Sequence, residues 1–238
     1  APLRRSGREN RIVTEGKAAP AAAAERDPRN LSTRIIAAAV LIPLAIAIAY
    51  AGGWLWTALV TLAAIGLYVE WLMVVGATAE KRVVATGVAA LAVAGFSLAI
   101  GRIDAALAVF AIGLVAVALM TPVRRNWAAA GILYAGVAEI ASVLLRHDAV
   151  KGFVALVFVL LIVWVTDSGG YFAGRGIGGP KLWPRVSPKK SWAGALGGLA
   201  ASLAVAAGFA AFDLGRIGPL LLLSGTLAVV SQLGDLFE

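Results

Sequence analysis

The sequence contains no cysteine, a single histidine (His147) and only 14% charged residues. Without cysteine there is no disulfide framework, no thiolate metal centre and no cysteine nucleophile. One histidine cannot build a histidine-based metal cluster within a single chain. Scarce charge goes with 61% hydrophobic residues and a mean hydropathy of +0.88 over 238 residues. Soluble domains are about 45–50% apolar and roughly 25% charged, so a soluble globular enzyme is excluded. Disordered polar chains and collagen-like chains are excluded on the same ground. The formal charge of +8 is spread between apolar runs. That distribution points to a membrane, and no nucleic-acid partner is expected.

What the sequence has in plenty is long apolar runs. A transmembrane helix takes about 20 mostly apolar residues. Eight runs qualify, at 35–51, 54–75, 83–100, 105–120, 127–145, 150–172, 192–212 and 217–236. Strand-type alternation is absent, so these runs predict helices in lipid and not barrel strands. The expected fold is all-α, a polytopic transmembrane helical bundle. Residues 1–34 form a basic leader, expected to be a disordered cytoplasmic tail beside anionic headgroups and not a signal peptide. Residues 35–149 hold the N-terminal helices. Residues 150–238 form a region with chemistry, including a polar loop at 173–191. Of the 21 Lys and Arg residues, all but Arg102, Arg146, Lys151 and Arg216 fall in the leader or in alternate loops. By the positive-inside rule both ends are then cytoplasmic, in an integral membrane protein of a bacterial cytoplasmic membrane.

Three polar features fall on that inner side. Asp167, in WVTDSGGYFAGR, ends the sixth run, and an acid at mid-bilayer costs about 2.5–3.5 kcal/mol on insertion scales. It is either a snorkelling or capping acid or one held for a metal or a proton. The following stretch, GRGIGGPKLWPRVSPKKSWAG, carries Arg175, Lys181, Arg185, Lys189 and Lys190 among glycines and three prolines. Glycines let backbone N–H groups approach an anion, lysines place point charges on phosphate oxygens, and prolines stiffen the loop. Ser187 adds a hydroxyl, and Ser191 is placed to cap the seventh helix. A plain topology-fixing loop is the alternative, although the Gly/Pro arrangement exceeds what topology needs. Gly174, Gly176 and Gly179 match G-x-G-x-x-G, but no strand precedes them, so the dinucleotide fingerprint is spurious.

The third feature is the final SQLGDLFE, where Ser231 and Asp235 share a helix face. Mg²⁺ is held by one or two carboxylates plus substrate phosphates, and Asp167 and Asp235 supply such a pair if the sixth and eighth helices meet. Glu70 and Glu139 are expected to pair with Arg or to line a wet cavity, structural pairing being favoured over catalysis. His147 is expected in a surface loop. The tryptophans fit interfacial belts, and Gly194 with Gly198 forms a small-xxx-small packing face.

The strings TDSGGYFAGRGIGG, RVSPKKSW and SQLGDLFE, in this order, resemble the phosphatidate cytidylyltransferases (CDP-diacylglycerol synthases). The resemblance covers about the last third of the chain. It implies a magnesium-dependent transfer of a cytidylyl group from CTP to phosphatidate, giving CDP-diacylglycerol and pyrophosphate in phospholipid synthesis. It further implies catalytic roles for Asp167, Asp235 and Lys190. Substrate contacts would come from Arg175, Ser187, Lys189, Lys190, Ser231 and Gln232, and a metal would be held by Asp235, Asp167 and Glu238. Membrane lipids are partners, and a homodimer is compatible with the small-residue faces. Two departures stand out: Ala193 takes the place of the family's usual Glu, and the family pattern continues beyond Glu238 with further motifs and a ninth helix. A chain ending at Glu238 is expected to lack part of the signature that activity needs. The rival from another class is a small transporter or channel using Glu70, Glu139 and Asp167.

Overall fold

The computed structural model describes residues 28–238 except 79, 122–124 and 238, with the side chains of 28–39 and 237 outside that description. Among the described residues there are eight helices: α1 (Pro28–Ala51), α2 (Gly53–Val74), α3 (Lys81–Ala99), α4 (Ile103–Met120), α5 (Arg125–His147), α6 (Gly152–Gly176), α7 (Trp192–Ala211) and α8 (Ile217–Phe237). Strands β1 (Lys181–Trp183) and β2 (Ser187–Ser191) form a hairpin between α6 and α7. Helices α2 to α8 are long and apolar enough to cross a membrane, and the apolar described part of α1 is Val40–Ala51. The chain divides into two compact units, Ala1–Leu44 and Ala45–Glu238. The first is described only along the start of α1, and the second holds all the packing below. The basic leader lies largely outside the described residues.

The expected all-α polytopic bundle is what the chain forms. Its large apolar side chains point outward as well as inward: Leu62, Ile112 and Leu222 are 68%, 69% and 75% exposed. In water such a continuous apolar surface would drive association, whereas hydrocarbon solvates it. Several hydroxyls inside the spans turn back on their own helices. Thr57, Ser97, Thr121 and Thr166 each donate to the carbonyl four residues earlier, at 2.7–3.1 Å. Where no water reaches, this is the local way to satisfy a hydroxyl.

Two cores result. Helices α2 to α5 enclose Tyr68, Leu72, Leu91, Val117 and Ile132, all essentially inaccessible. Glycines admit the large rings: a Cβ at Gly87 would strike the Tyr68 ring, and one at Gly136 would strike Phe110. Tyr68 Oη donates to the Val83 carbonyl at 3.1 Å, and the Trp71 indole N–H donates to the Trp127 carbonyl at 2.8 Å. Tyr68→Phe is expected to cost about 1 kcal/mol, one buried hydrogen bond, with no loss of assembly. Thermal unfolding in detergent would read it, and an unchanged midpoint would contradict the role given to the hydroxyl. The second core, Phe158, Ile162 and Ala206, joins α6, α7 and α8.

Two expectations about intramembrane acids need correction. Glu139 does not pair with a cation among the described residues: it is fully buried, and Thr61 Oγ1 donates to its Oε1 at 2.7 Å while Oε2 has no partner among them. Glu70 lies exposed on α2 without an ion pair among the described residues. His147 is exposed, as expected, but it is the last residue of α5 and not a loop residue, because α5 runs two residues past the apolar run. Its neighbour Arg146 caps α1, donating to the carbonyls of Ala49 (2.6 Å) and Tyr50 (2.7 Å), where a cation also complements the helix dipole.

Candidate active site

Helix α6 supplies one wall of the site. Thr166, Gly170 and Gly174 recur at spacing four, as do Asp167, Tyr171 and Arg175, so all six share one stripe of the helix. Arg175 Nη1 donates to Tyr171 Oη at 2.9 Å, which holds the guanidinium one turn beyond the phenol. The helix runs to Gly176, beyond the expected loop start at 173, because Gly174 packs on Ser191 and Gly194. Tertiary contact here overrides weak glycine helix propensity.

The chain then reverses through Gly178 (φ 68°) and Gly179 (φ 95°), left-handed positions that suit glycine. What the sequence presented as a loop is largely an antiparallel hairpin, with Lys181 opposite Ser191 and Trp183 opposite Ser187. The Trp192 N–H closes its base by donating to the Pro180 carbonyl at 3.0 Å. Strand β2 thereby carries Lys189 and Lys190 back over the end of α6. Ser191 is the N-cap of α7, its hydroxyl accepting from the Gly194 N–H at 3.2 Å, as its position in the sequence predicted. Gly174 and Gly176 are helical and Gly179 is in the turn, so no strand leads into this glycine-rich stretch.

Helices α6 and α7 touch backbone to backbone. A Cβ at Gly194 would come within 2.8 Å of the Gly170 carbonyl oxygen, and one at Gly198 within 2.5 Å of that of Thr166. The predicted small-residue face is therefore used inside the chain. Helix α8 completes the group: Gln232 Nε2 donates to the Ala195 carbonyl at 3.1 Å, tying α8 to the first turns of α7. Asp235, one turn on, then faces the hairpin.

These elements surround a cavity of about 550 Å³ lined by Asp167, Tyr171, Arg175, Lys189, Lys190 and Asp235 among smaller residues. Lys190 Nζ stands 3.3 Å from Asp235 Oδ2. That nitrogen is shielded from solvent yet makes no aligned hydrogen bond, so its donors are largely unspent. Asp167 lines the same cavity as both. Asp235 keeps a side-chain exposure of 41%, open to the cavity.

Of the residues singled out in the sequence, Asp167, Asp235, Lys190, Lys189, Arg175 and Gln232 meet at this cavity. Ser187 and Ser231 are not in its lining: Ser187 sits at the hairpin turn opposite Trp183, and Ser231 is half-buried on α8. Glu238 lies outside the described residues. Sequence reasoning passed over Tyr171, Thr166, Gly170 and Leu182. Tyr171 carried a signal, the four-residue spacing with Asp167 and Arg175, and Thr166 and Gly170 carried the same spacing with Gly174; both series show once α6 is extended to Gly176. Leu182 carried none.

The profile of the Cytidylyltransferase family matches residues 32–238. The chain is similar to the phosphatidate cytidylyltransferase of Brucella suis biovar 1 (strain 1330), at 39% identity over 216 residues, covering 88% of this chain and 78% of that protein. It is also similar to the phosphatidate cytidylyltransferase of Haemophilus influenzae, 42% identical over 98 residues, 39% of this chain and 34% of the relative. A third, from Staphylococcus haemolyticus, is 44% identical over 86 residues, 35% of this chain and 33% of the relative. No solved structure matches the chain.

Proposed function

The chain belongs to the cytidylyltransferase family, and we propose that it transfers the cytidylyl group of CTP to phosphatidate, forming CDP-diacylglycerol and pyrophosphate. The observation that carries this is the unspent ammonium of Lys190 beside two carboxylates in one cavity at the ends of three membrane helices. A shielded cation with free donors seeks an anionic oxygen, and two neighbouring acids seek a cation. Phosphorylated ligands with a divalent metal satisfy both.

The donor set suits a hard cation such as Mg²⁺, since it offers carboxylate oxygens and no imidazole or thiolate. Asp167 and Asp235 would hold it. No group of three or more acidic, histidine or cysteine side chains gathers among the described residues, so substrate phosphates would share in the coordination. Once bound, the metal would neutralise phosphate charge. The chain's own residues then have separate tasks. Lys190 and Lys189 hold phosphate oxygens, and Arg175, steadied by Tyr171, offers a guanidinium to a further oxygen. In the transfer, a phosphatidate oxygen bonds to the α-phosphorus of CTP as the bond to the bridging oxygen breaks, and pyrophosphate departs with that electron pair. Positioning and charge stabilisation suffice for such a step, and no nucleophilic side chain is required.

The excess of Lys and Arg in alternate loops supports a site on the cytoplasmic side, where CTP is found and where the phosphatidate headgroup lies. A homodimer would need a surface other than Gly194 and Gly198, which α6 covers. The transporter alternative loses its path: Glu139 is sealed in the α2–α5 core and Glu70 faces outward.

The test is CDP-diacylglycerol formation by the full-length protein in phosphatidate-containing micelles with CTP and Mg²⁺. Turnover is expected, stopping with chelator. Lys190→Ala is expected to lower kcat/KM on the order of 10²-fold, the scale of one charge-assisted contact to a reacting phosphate. Absence of CTP-dependent product, or a Lys190→Ala protein at full rate, would refute the assignment.

A further inference from the structure

A second cavity, of about 350 Å³, lies at the other end of the α6–α8 group. Along α6, Val154 in this cavity and Gly170 in the first are about 24 Å apart at 1.5 Å per residue. The two cavities therefore belong to opposite faces of a bilayer. The wall is apolar, built on the edge-to-face pair Phe158–Phe209 (centroids 4.9 Å apart) with Leu214, Leu220 and Leu223.

Two charged residues break this apolar lining, Lys151 and Asp213. Both are exposed at the rim, and no ion pair joins them among the described residues. Each is held by local backbone structure. Asp148 Oδ1 accepts from the backbone N–H groups of Val150 (2.8 Å) and Lys151 (2.7 Å), fixing the turn into α6. Asp213 follows the end of α7 at φ 58°, with its N–H donating to the Ala210 carbonyl (3.1 Å) and that of Leu214 to the Phe209 carbonyl (3.0 Å). Glycine is the residue that fits this left-handed position without strain. An aspartate there adds backbone strain and brings a carboxylate to the cavity.

We propose that this cleft is a binding site for one zwitterionic phospholipid of the leaflet opposite the reaction site. Its phosphate meets Lys151, its ammonium meets Asp213, and its acyl chains lie on Leu214, Leu220 and Leu223. Opposite charges in one small cavity, unpaired with each other, complement a headgroup that carries both signs. A primary ammonium donates hydrogen bonds to a carboxylate, whereas a quaternary one has no N–H to donate. Phosphatidylethanolamine is thus favoured over phosphatidylcholine. Phosphatidylglycerol has no ammonium and meets Asp213 with its phosphate as the sole charge.

The full-length protein in micelles with equal amounts of these three lipids, analysed for retained lipid by native mass spectrometry, provides the test. One phosphatidylethanolamine is expected to be retained in preference to the others. Lys151→Gln should lower its retention about tenfold, the scale of one charge-assisted hydrogen bond. Asp213→Asn keeps a residue that tolerates the left-handed backbone and should abolish the preference over phosphatidylglycerol. Cytidylyl transfer should stay at the parent rate in both variants. Equal retention of all three lipids by the parent protein would overturn the proposal. So would a preference that survives both substitutions, or a dimer that buries this cleft with no lipid retained.

Discussion

Asp235→Asn is expected to lower kcat for CDP-diacylglycerol formation on the order of 10³-fold while leaving apparent CTP affinity intact or improved. Asparagine keeps the volume and one acceptor oxygen but removes the charge that pairs with Lys190 and that, under the proposed function, would hold a divalent metal. Loss of a carboxylate that would hold such a cation would remove several kcal/mol of transition-state stabilisation, and each 1.36 kcal/mol is tenfold in rate. The binding term moves the other way. With Asp235 neutral, the shielded Lys190 ammonium has lost its nearest counter-ion and gains more from a nucleotide phosphate. Lys190→Ala differs, because it would remove the proposed phosphate contact and should raise KM for CTP. Steady-state kinetics of the two variants separate these roles. Normal kcat in Asp235→Asn, or the same kcat and KM pattern in both variants, would show that the ion pair is not the functional centre.

That centre was legible in the sequence to the extent that its chemistry is local. Asp167, Lys190 and Asp235 stood out because acids and lysines at the ends of apolar runs are costly unless used. Their meeting depends on glycines far apart in the chain, Gly170 and Gly174 on α6 against Gly194 and Gly198 on α7. Only the second pair was recognised as a packing face. The helical runs were legible because lipid selects continuous apolar stretches. Their ends were less so, since α6 passes through Gly169, Gly170 and Gly174 on the strength of α7 behind it. The β1–β2 hairpin left little trace: its strands are three and five residues long, and Pro188 lies within β2. Ser231 was expected at the site because it shares a face with Asp235, but from that turn of α8 it is Gln232 that lines the cavity. Lys151 and Asp213 drew no notice, because each looks like an ordinary charge at a helix end until α6 and α7 lie side by side.

The glycine contact carries the other large effect. Gly194→Leu is expected to abolish cytidylyl transfer and to destabilise the α6–α8 group by more than about 3 kcal/mol, at or beyond the upper range for overpacking. The Cβ alone would come within 2.8 Å of the Gly170 carbonyl oxygen, a backbone atom with no rotamer through which to move away. The helices must then separate. Asp167 rides on α6, Lys190 directly precedes the α7 cap, and Asp235 is tied to α7 through Gln232. Separation would therefore pull apart all three charged groups at once, even in protein that still inserts. Gly208→Ala on the same helix is the matched control. Nothing lies within 4 Å of a Cβ there, so the substitution should be neutral or stabilise by up to about 1 kcal/mol. Thermal unfolding in detergent, read beside turnover, distinguishes the two positions. A Gly194→Leu protein with unaltered melting and full activity would mean that α6 and α7 do not meet through their backbones, and the common placement of Asp167, Lys190 and Asp235 would lose its physical cause.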